Sequence, residues 1–279
     1  MNLTMKNWGN RRLIPIIALS AVGCVTLFSQ MSVNPAGMVA VLAGEIPTPE
    51  GMKHIKPFLI DKDLVTVKEF DEFVNATGYT TEADRFGNAG VFIPGRGWEM
   101  VEGANYLFPF GKGGDAAPMD HPVTQVSWND ANAYAKWKNK RLPTQWEWEL
   151  AAQNNDSQYT WGDKLIVNGS YKANTWQGSF PYYNTVDDGY AFTSPVGAFG
   201  ENAKGLTDMG GNVWQWCQDE IDPTPQEARL DPGKRRVLRG GSFLCDPQVC
   251  HGFRVQGKAS STAESAMAHI GFRCAKDFK

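Results

Sequence analysis

The chain has no excess of either charge sign. Its 27 Lys and Arg face 30 Asp and Glu, for a net charge of −3, which argues against a nucleic-acid surface. No glycine-rich fingerprint for a flavin or a nicotinamide is present, so a dinucleotide held on a strand-to-helix turn is excluded. There is no internal repeat, no low-complexity tract and no second linker, which removes solenoids and extended scaffolds. Nor is there a second pair of closely spaced cysteines, as a four-thiolate zinc site would need. What is abundant is 29 Gly, 16 Pro and 10 Trp in 279 residues. That mixture implies much irregular backbone pinned by large aromatic anchors rather than long helices. Apolar residues at 42% and charged residues at 20% are those of a globular chain.

The first residues read as a targeting element. Lys6, Arg11 and Arg12 precede an apolar run from Leu13 to Cys24 that continues to Phe28, the layout of an export signal. A cleaved signal, an uncleaved membrane anchor and a lipidated Cys24 are the three readings. The run is short for a full span. Each reading places the body outside the cytoplasm, in the periplasm or cell envelope, where disulfides are allowed. Residues 1–36 are therefore taken as signal or anchor plus linker, and residues 37–279 as one α+β domain.

Within that domain, residues 38–45 and 56–61 read as strands. Thr66 with Glu69, Ser127 with Asp130 and Thr144 with Glu147 each mark a capped helix start. Val67, Phe70, Phe73 and Val74 lie at helical spacing before Gly78, and Ala131, Tyr134 and Ala135 are expected to face inward. Residues 84–120, rich in Gly and Pro, read as a long ordered loop. Beyond residue 153 short strands and loops follow.

Cys245 and Cys250 stand five positions apart. A disulfide closing so short a loop would stabilise by only roughly 2 kcal/mol in the entropic model. Two thiolates without further ligands suit a soft, low-coordinate ion such as Cu(I). A structural disulfide, a metal pair and a reactive pair all remain open on the residues alone. Cys217 and Cys274 are left as either a bridge or two buried free thiols.

Several segments together carry a resemblance. They are Thr77-Gly78-Tyr79-Thr80-Thr81-Glu82-Ala83-Asp84-Arg85-Phe86-Gly87, His121-Pro122-Val123, Val126-Ser127-Trp128-Asn129-Asp130-Ala131 and Lys140-Arg141-Leu142-Pro143-Thr144. Further on come Ala173-Asn174-Thr175-Trp176-Gln177-Gly178, Gly211-Asn212-Val213-Trp214, Arg239-Gly240-Gly241-Ser242-Phe243 and Gly271-Phe272-Arg273-Cys274. From about residue 38 to the end the chain resembles the formylglycine-generating enzyme family, with the Cys245/Cys250 pair as the narrow marker.

The resemblance implies a C-type-lectin-like α+β fold poor in regular structure. It implies a copper- and dioxygen-dependent oxidase that converts a cysteine of an exported, sulfatase-type Cys-x-Pro-x-Arg polypeptide to formylglycine, with a thiol reductant as partner. Cys245 and Cys250 would bind Cu(I), and Ser242 and Trp214 would flank the oxygen pocket. Oxygen there would take hydrogen from the substrate β-carbon, and the resulting thioaldehyde would hydrolyse. Calcium is implied at Asn174, the Thr175 carbonyl, Asp188 and the Tyr190 carbonyl. A second calcium is implied at Asp208, Gln215 and the carbonyls of Gly211 and Val213.

The chain also departs from the family. Asp246 stands where some members have His, which would alter proton handling. Ala135 replaces the usual partner of Cys274. Asn88 and Ala89 replace an acidic or polar pair that grips the basic end of the peptide. Two rivals follow: a same-fold oxidase maturing a small exported metabolite such as a siderophore chromophore, and a non-catalytic, envelope-anchored interaction protein.

Overall fold

Three capped helices are the most local features of the chain, and they form where the capping residues stand. The computed structural model describes residues 37–153 and 155–278, and the export segment expected within 1–36 lies outside them. In helix α1 (Val67–Thr77), Thr66 Oγ1 accepts from the Glu69 amide while the Glu69 carboxylate accepts from the Thr66 amide. Gly78 then ends the helix at φ +67°, a left-handed cap that suits glycine. Val67, Phe70 and Phe73 are buried, as their spacing requires. A short helix, α2 (Glu82–Phe86), follows under a Thr81 cap. The same reciprocal capping starts α3 (Trp128–Trp137) at Ser127 and α4 (Gln145–Ala152) at Thr144.

The strands are short. β1 (Met38–Val41), β2 (Gly44–Thr48), β3 (Gly51–Ile55) and β4 (Phe58–Asp61) open the domain. β1 pairs antiparallel with β4, while β2 and β3 form a hairpin, so the strand expected over residues 38–45 is divided between β1 and the start of β2. The Gly-rich stretch after α2 is not all loop. β5 (Asn88–Ile93) and β6 (Gly97–Glu102) form an antiparallel hairpin, with Asn88 opposite Glu102 and Phe92 opposite Trp98. The pattern is hard to read because β6 alternates half-buried and exposed residues and leaves two large apolar side chains, Trp98 and Met100, exposed. Two small pairs follow: β7 (Ile166–Val167) with β8 (Ser170–Tyr171), and β9 (Gly178–Ser179) with β10 (Tyr183–Asn184).

The remaining strands are β11 (Trp214–Ile221), β12 (Arg235–Arg239), β13 (Lys258–Ser261), β14 (Ile270–Gly271) and β15 (Ala275–Asp277). The first four of these form a sheet in the order β13-β12-β11-β14, parallel only between β11 and β14, while β15 joins β4.

Two clusters form the main core. One gathers Phe70, Phe73, Tyr134, Ala135, Trp214, Trp216, Phe272 and Cys274. The other gathers Phe58, Ile60, Trp148, Val237 and Cys217. Cys217 and Cys274 are both buried free thiols, so no bridge joins them. Burial pushes both thiols well above the ordinary cysteine range. Ala135, at the position expected to lack a cysteine partner, packs in the same cluster as Cys274.

Candidate active site

Five segments of the chain converge on one cavity of about 180 Å³. Its wall holds Phe92 and Trp98 from the β5–β6 hairpin, Phe180 between β9 and β10, and Trp214 at the start of β11. The segment after β12 adds Ser242, Leu244, Cys245, Val249 and Cys250, and His269 stands just before β14. All four residues expected at the reaction centre therefore meet in one place.

Backbone geometry fixes the cysteine loop. Gly241 has φ +68°, and a Cβ there would lie 2.6 Å from the Phe253 amide nitrogen, so only glycine fits. Gly252 packs flat against the indole wall, since a Cβ would come 2.3 Å from the Trp214 ring. Ser242 Oγ accepts from the Leu244 amide at 3.2 Å. The Asp246 carboxylate accepts from the Gln248 amide at 2.6 Å, and its carbonyl accepts from the Cys250 amide at 2.8 Å. Asp246 is thus a buried turn residue and does not line the cavity. The proton handling expected to change at this position has no carboxylate facing the cavity.

Cys245 and Cys250 are bonded as a disulfide with Cα atoms 5.0 Å apart. The Gly252 amide donates to Cys250 Sγ at 3.4 Å. Among the described residues no group of three or more His, Cys, Asp or Glu comes together. Two sulfur donors in an apolar wall fit a soft ion of low coordination number.

The first expected calcium set is also brought together. The Asp188 carboxylate accepts from the amides of Thr175 at 2.9 Å and Tyr190 at 3.0 Å and from Gln177 Nε2 at 2.8 Å, and Gln177 Nε2 also donates to the Thr175 carbonyl. Asn174 is buried, its Nδ2 donates to the Phe192 carbonyl at 2.7 Å, and its Oδ1 has no partner. A buried, unpartnered side-chain oxygen, which the second set lacks, is the feature of this set that fits a hard cation. The same residues brace the cavity, since the Asn174 carbonyl accepts from Asn212 and the Asn212 carbonyl accepts from Phe243, each at 2.9 Å.

The second expected calcium set does not fit an ion. Gln215 Oε1 already accepts from Trp148 Nε1 and Arg273 Nε, both at 2.8 Å. The Asp208 carboxylate accepts from the Gly197 amide at 2.7 Å and Asn212 Nδ2 at 3.2 Å. That leaves the carbonyls of Gly211 and Val213, too few for calcium's usual six to eight oxygens.

His269 was not singled out by sequence. Its ring packs on Trp98 with centroids 4.5 Å apart, and its Nδ1 is buried without a partner. Burial holds the imidazole neutral by pushing its pKa down to about 3. Its position just ahead of Gly271-Phe272-Arg273-Cys274 was the available signal. A larger cleft of about 790 Å³ beside Glu45, Asp156, His251 and Arg254 contains neither Cys245 nor Cys250.

The family model described as "Sulfatase-modifying factor enzyme 1-like domain" matches residues 23–278. A formylglycine-generating enzyme of Streptomyces coelicolor is 42% identical, over 82% of this chain and 81% of that protein. One from Thermomonospora curvata is 41% identical, over 86% and 93%. A mouse protein named inactive C-alpha-formylglycine-generating enzyme 2 is 39% identical, over 79% and 75%. The solved structure of PvdO from Pseudomonas aeruginosa shares the fold with a TM-score of 0.60 at 24% identity, covering 86% of this chain and 94% of that one.

Proposed function

The chain belongs to the sulfatase-modifying factor family, and on that premise we propose that it oxidises a cysteine of an exported polypeptide to formylglycine. One observation carries this reading: the Cys245 and Cys250 sulfurs open on an apolar cavity walled by Trp214, Phe92, Trp98 and Phe180. A non-catalytic binding module has no use for two sulfurs at the wall of such a cavity.

Reduced, Cys245 and Cys250 would hold Cu(I), which would supply the one-electron chemistry that dioxygen needs. The rest is done by the chain's own groups. The aromatic walls give the substrate an apolar surface, and the cavity of about 180 Å³ leaves room for little more than one small side chain. Ser242 presents a hydroxyl whose oxygen is anchored on the Leu244 amide. The neutral His269 ring offers a hydrogen bond without adding charge. The chemistry balances as one substrate cysteine, one dioxygen and two reductant thiols giving formylglycine, hydrogen sulfide, water and one reductant disulfide. The substrate cysteine loses one hydrogen from its β-carbon and one from its sulfur. The resulting thioaldehyde is hydrolysed, and the reductant thiols supply the remaining two electrons. Calcium at Asn174 and Asp188, with the carbonyls of Thr175 and Tyr190, would brace the loop that carries Ser242.

The substrate's basic end is the open element. No carboxylate lines the cavity, and Ala89 is buried, unable to grip a peptide. However, β6 brings Glu102 into register opposite Asn88, so a carboxylate stands beside the expected grip. The missing carboxylate in the wall favours, as second reading, a small exported metabolite as substrate of the same oxidation.

Incubation of copper-loaded protein with a Cys-x-Pro-x-Arg peptide, oxygen and a thiol reductant tests the reading. Mass spectrometry and capture by a hydrazine probe are expected to reveal the aldehyde. If verified copper and saturating peptide yield none, the polypeptide reading fails.

A further inference from the structure

The residues expected to hold the second calcium are occupied by something else. The Gln215 carboxamide is buried and satisfied at both ends: Oε1 receives two N–H donors, and Nε2 donates to the Asp208 carbonyl at 2.8 Å. Its orientation follows, since a flipped amide would set its own N–H groups against both donors. One of those donors belongs to Arg273, whose side chain is fully buried. Its Nη1 donates to the carbonyls of Asp61 at 3.0 Å and Lys62 at 2.8 Å, and its Nη2 to the Thr207 carbonyl at 2.6 Å. Among the described residues no carboxylate forms an ion pair with it. Its hydrogen bonds all end on neutral oxygens, and the carboxylates of Asp208, Asp63 and Asp61 lie near enough to act on its charge; oxygen acceptors of this kind are the surroundings a hard cation takes. Here the cation is covalently attached to the chain.

We infer that the Arg273 guanidinium stands in for the second calcium ion, so that this chain binds one calcium and not two. A divalent ion at Gln215 would sit against a buried guanidinium, where low dielectric magnifies repulsion between like charges. The clamp ties the end of β4 and the Thr207 carbonyl to Gln215 in β11, next to Trp214. That wall of the cavity is therefore held without metal. The inference goes beyond the proposed oxidation and does not depend on it, because it is read from metal content alone.

The test is to equilibrate the full-length protein with calcium, remove free ion and count calcium per chain by elemental mass spectrometry. About one per chain is expected in the wild type. Asp188→Asn should empty it, while Asp208→Asn and Gln215→Glu should leave the count unchanged, with circular dichroism confirming that each variant is folded. Two calcium ions per wild-type chain would overturn the inference, and this count needs no variant. So would a second ion gained on Gln215→Glu, because the amide rather than the guanidinium would then be excluding it. Loss of calcium on Asp208→Asn with retention on Asp188→Asn would overturn it as well, by placing the bound ion in the wrong site.

Discussion

Two side-chain environments decide the chemistry at the scale of single residues. The sulfurs of Cys245 and Cys250 line a cavity whose wall holds no carboxylate, so the proposed metal there would be selected by sulfur. Titration of reduced protein is expected to show about one tight Cu(I) per chain, lost when both cysteines become Ser. Stoichiometric binding by that variant would remove them as ligands. His269 makes a second prediction, for stability. Folded, the ring stays neutral down to about pH 3, whereas unfolded it takes a proton near 6.5. Between those values the unfolded chain binds more protons, so acidification destabilises the fold and a rise in pH restores it. From pH 7 to pH 5 the wild type should lose up to about 2 kcal/mol more than His269→Phe, judged by denaturant unfolding. Buried acids such as Asp61 and Asp208, pushed upward by burial, act with the opposite sign in both proteins and cancel in the comparison. Equal losses in the two proteins would mean that the imidazole is not held neutral.

Elements differ in how far their causes lie from their own residues. Helix α4 begins at a capping box and delivers Trp148, whose indole N–H reaches Gln215 at 2.8 Å. Thr144→Ala is expected to cost about 1 kcal/mol, lowering the melting temperature by roughly 2–4 °C, as a calorimetric scan would record. The β5–β6 hairpin is the opposite case. It supplies Phe92 and Trp98 to the cavity. Yet its place depends on Gly90, whose amide donates to the Ala266 carbonyl and whose carbonyl accepts from the Ala268 amide, each at 2.9 Å. These contacts span more than half the chain, and nothing within residues 84–120 announces them.

For the whole molecule, the hydrogen-bonded path from Asn174 through Asn212 to Phe243 couples the proposed calcium loop to the cavity. Removing calcium should therefore lower the melting temperature. At an ion concentration about a hundredfold above the dissociation constant, the stabilisation lost is about 2.7 kcal/mol. A scan with and without chelator measures it, and an unchanged melting curve after verified removal would count against a structural ion. Arg273 and Gln215, by contrast, hold their part of the core with groups no chelator can extract.

Sequence by itself determined the features whose causes are local. A cap and its partner three residues on are enough to start α1, α3 and α4, and five-residue spacing is enough to allow the Cys245–Cys250 bond. Glycines forced by close approach, such as Gly241, keep the cysteine loop in its turn. Tertiary structure alone decided what depends on neighbours distant in the chain. It paired β5 with β6, sent Cys217 and Cys274 to separate core clusters, enclosed His269 against Trp98 and turned the Gln215 carbonyl toward Arg273. Which partner a buried polar atom or thiol receives, and which ones such as Asn174 Oδ1 and His269 Nδ1 receive none, is settled by packing across the whole domain, because only groups that packing brings within reach can pair.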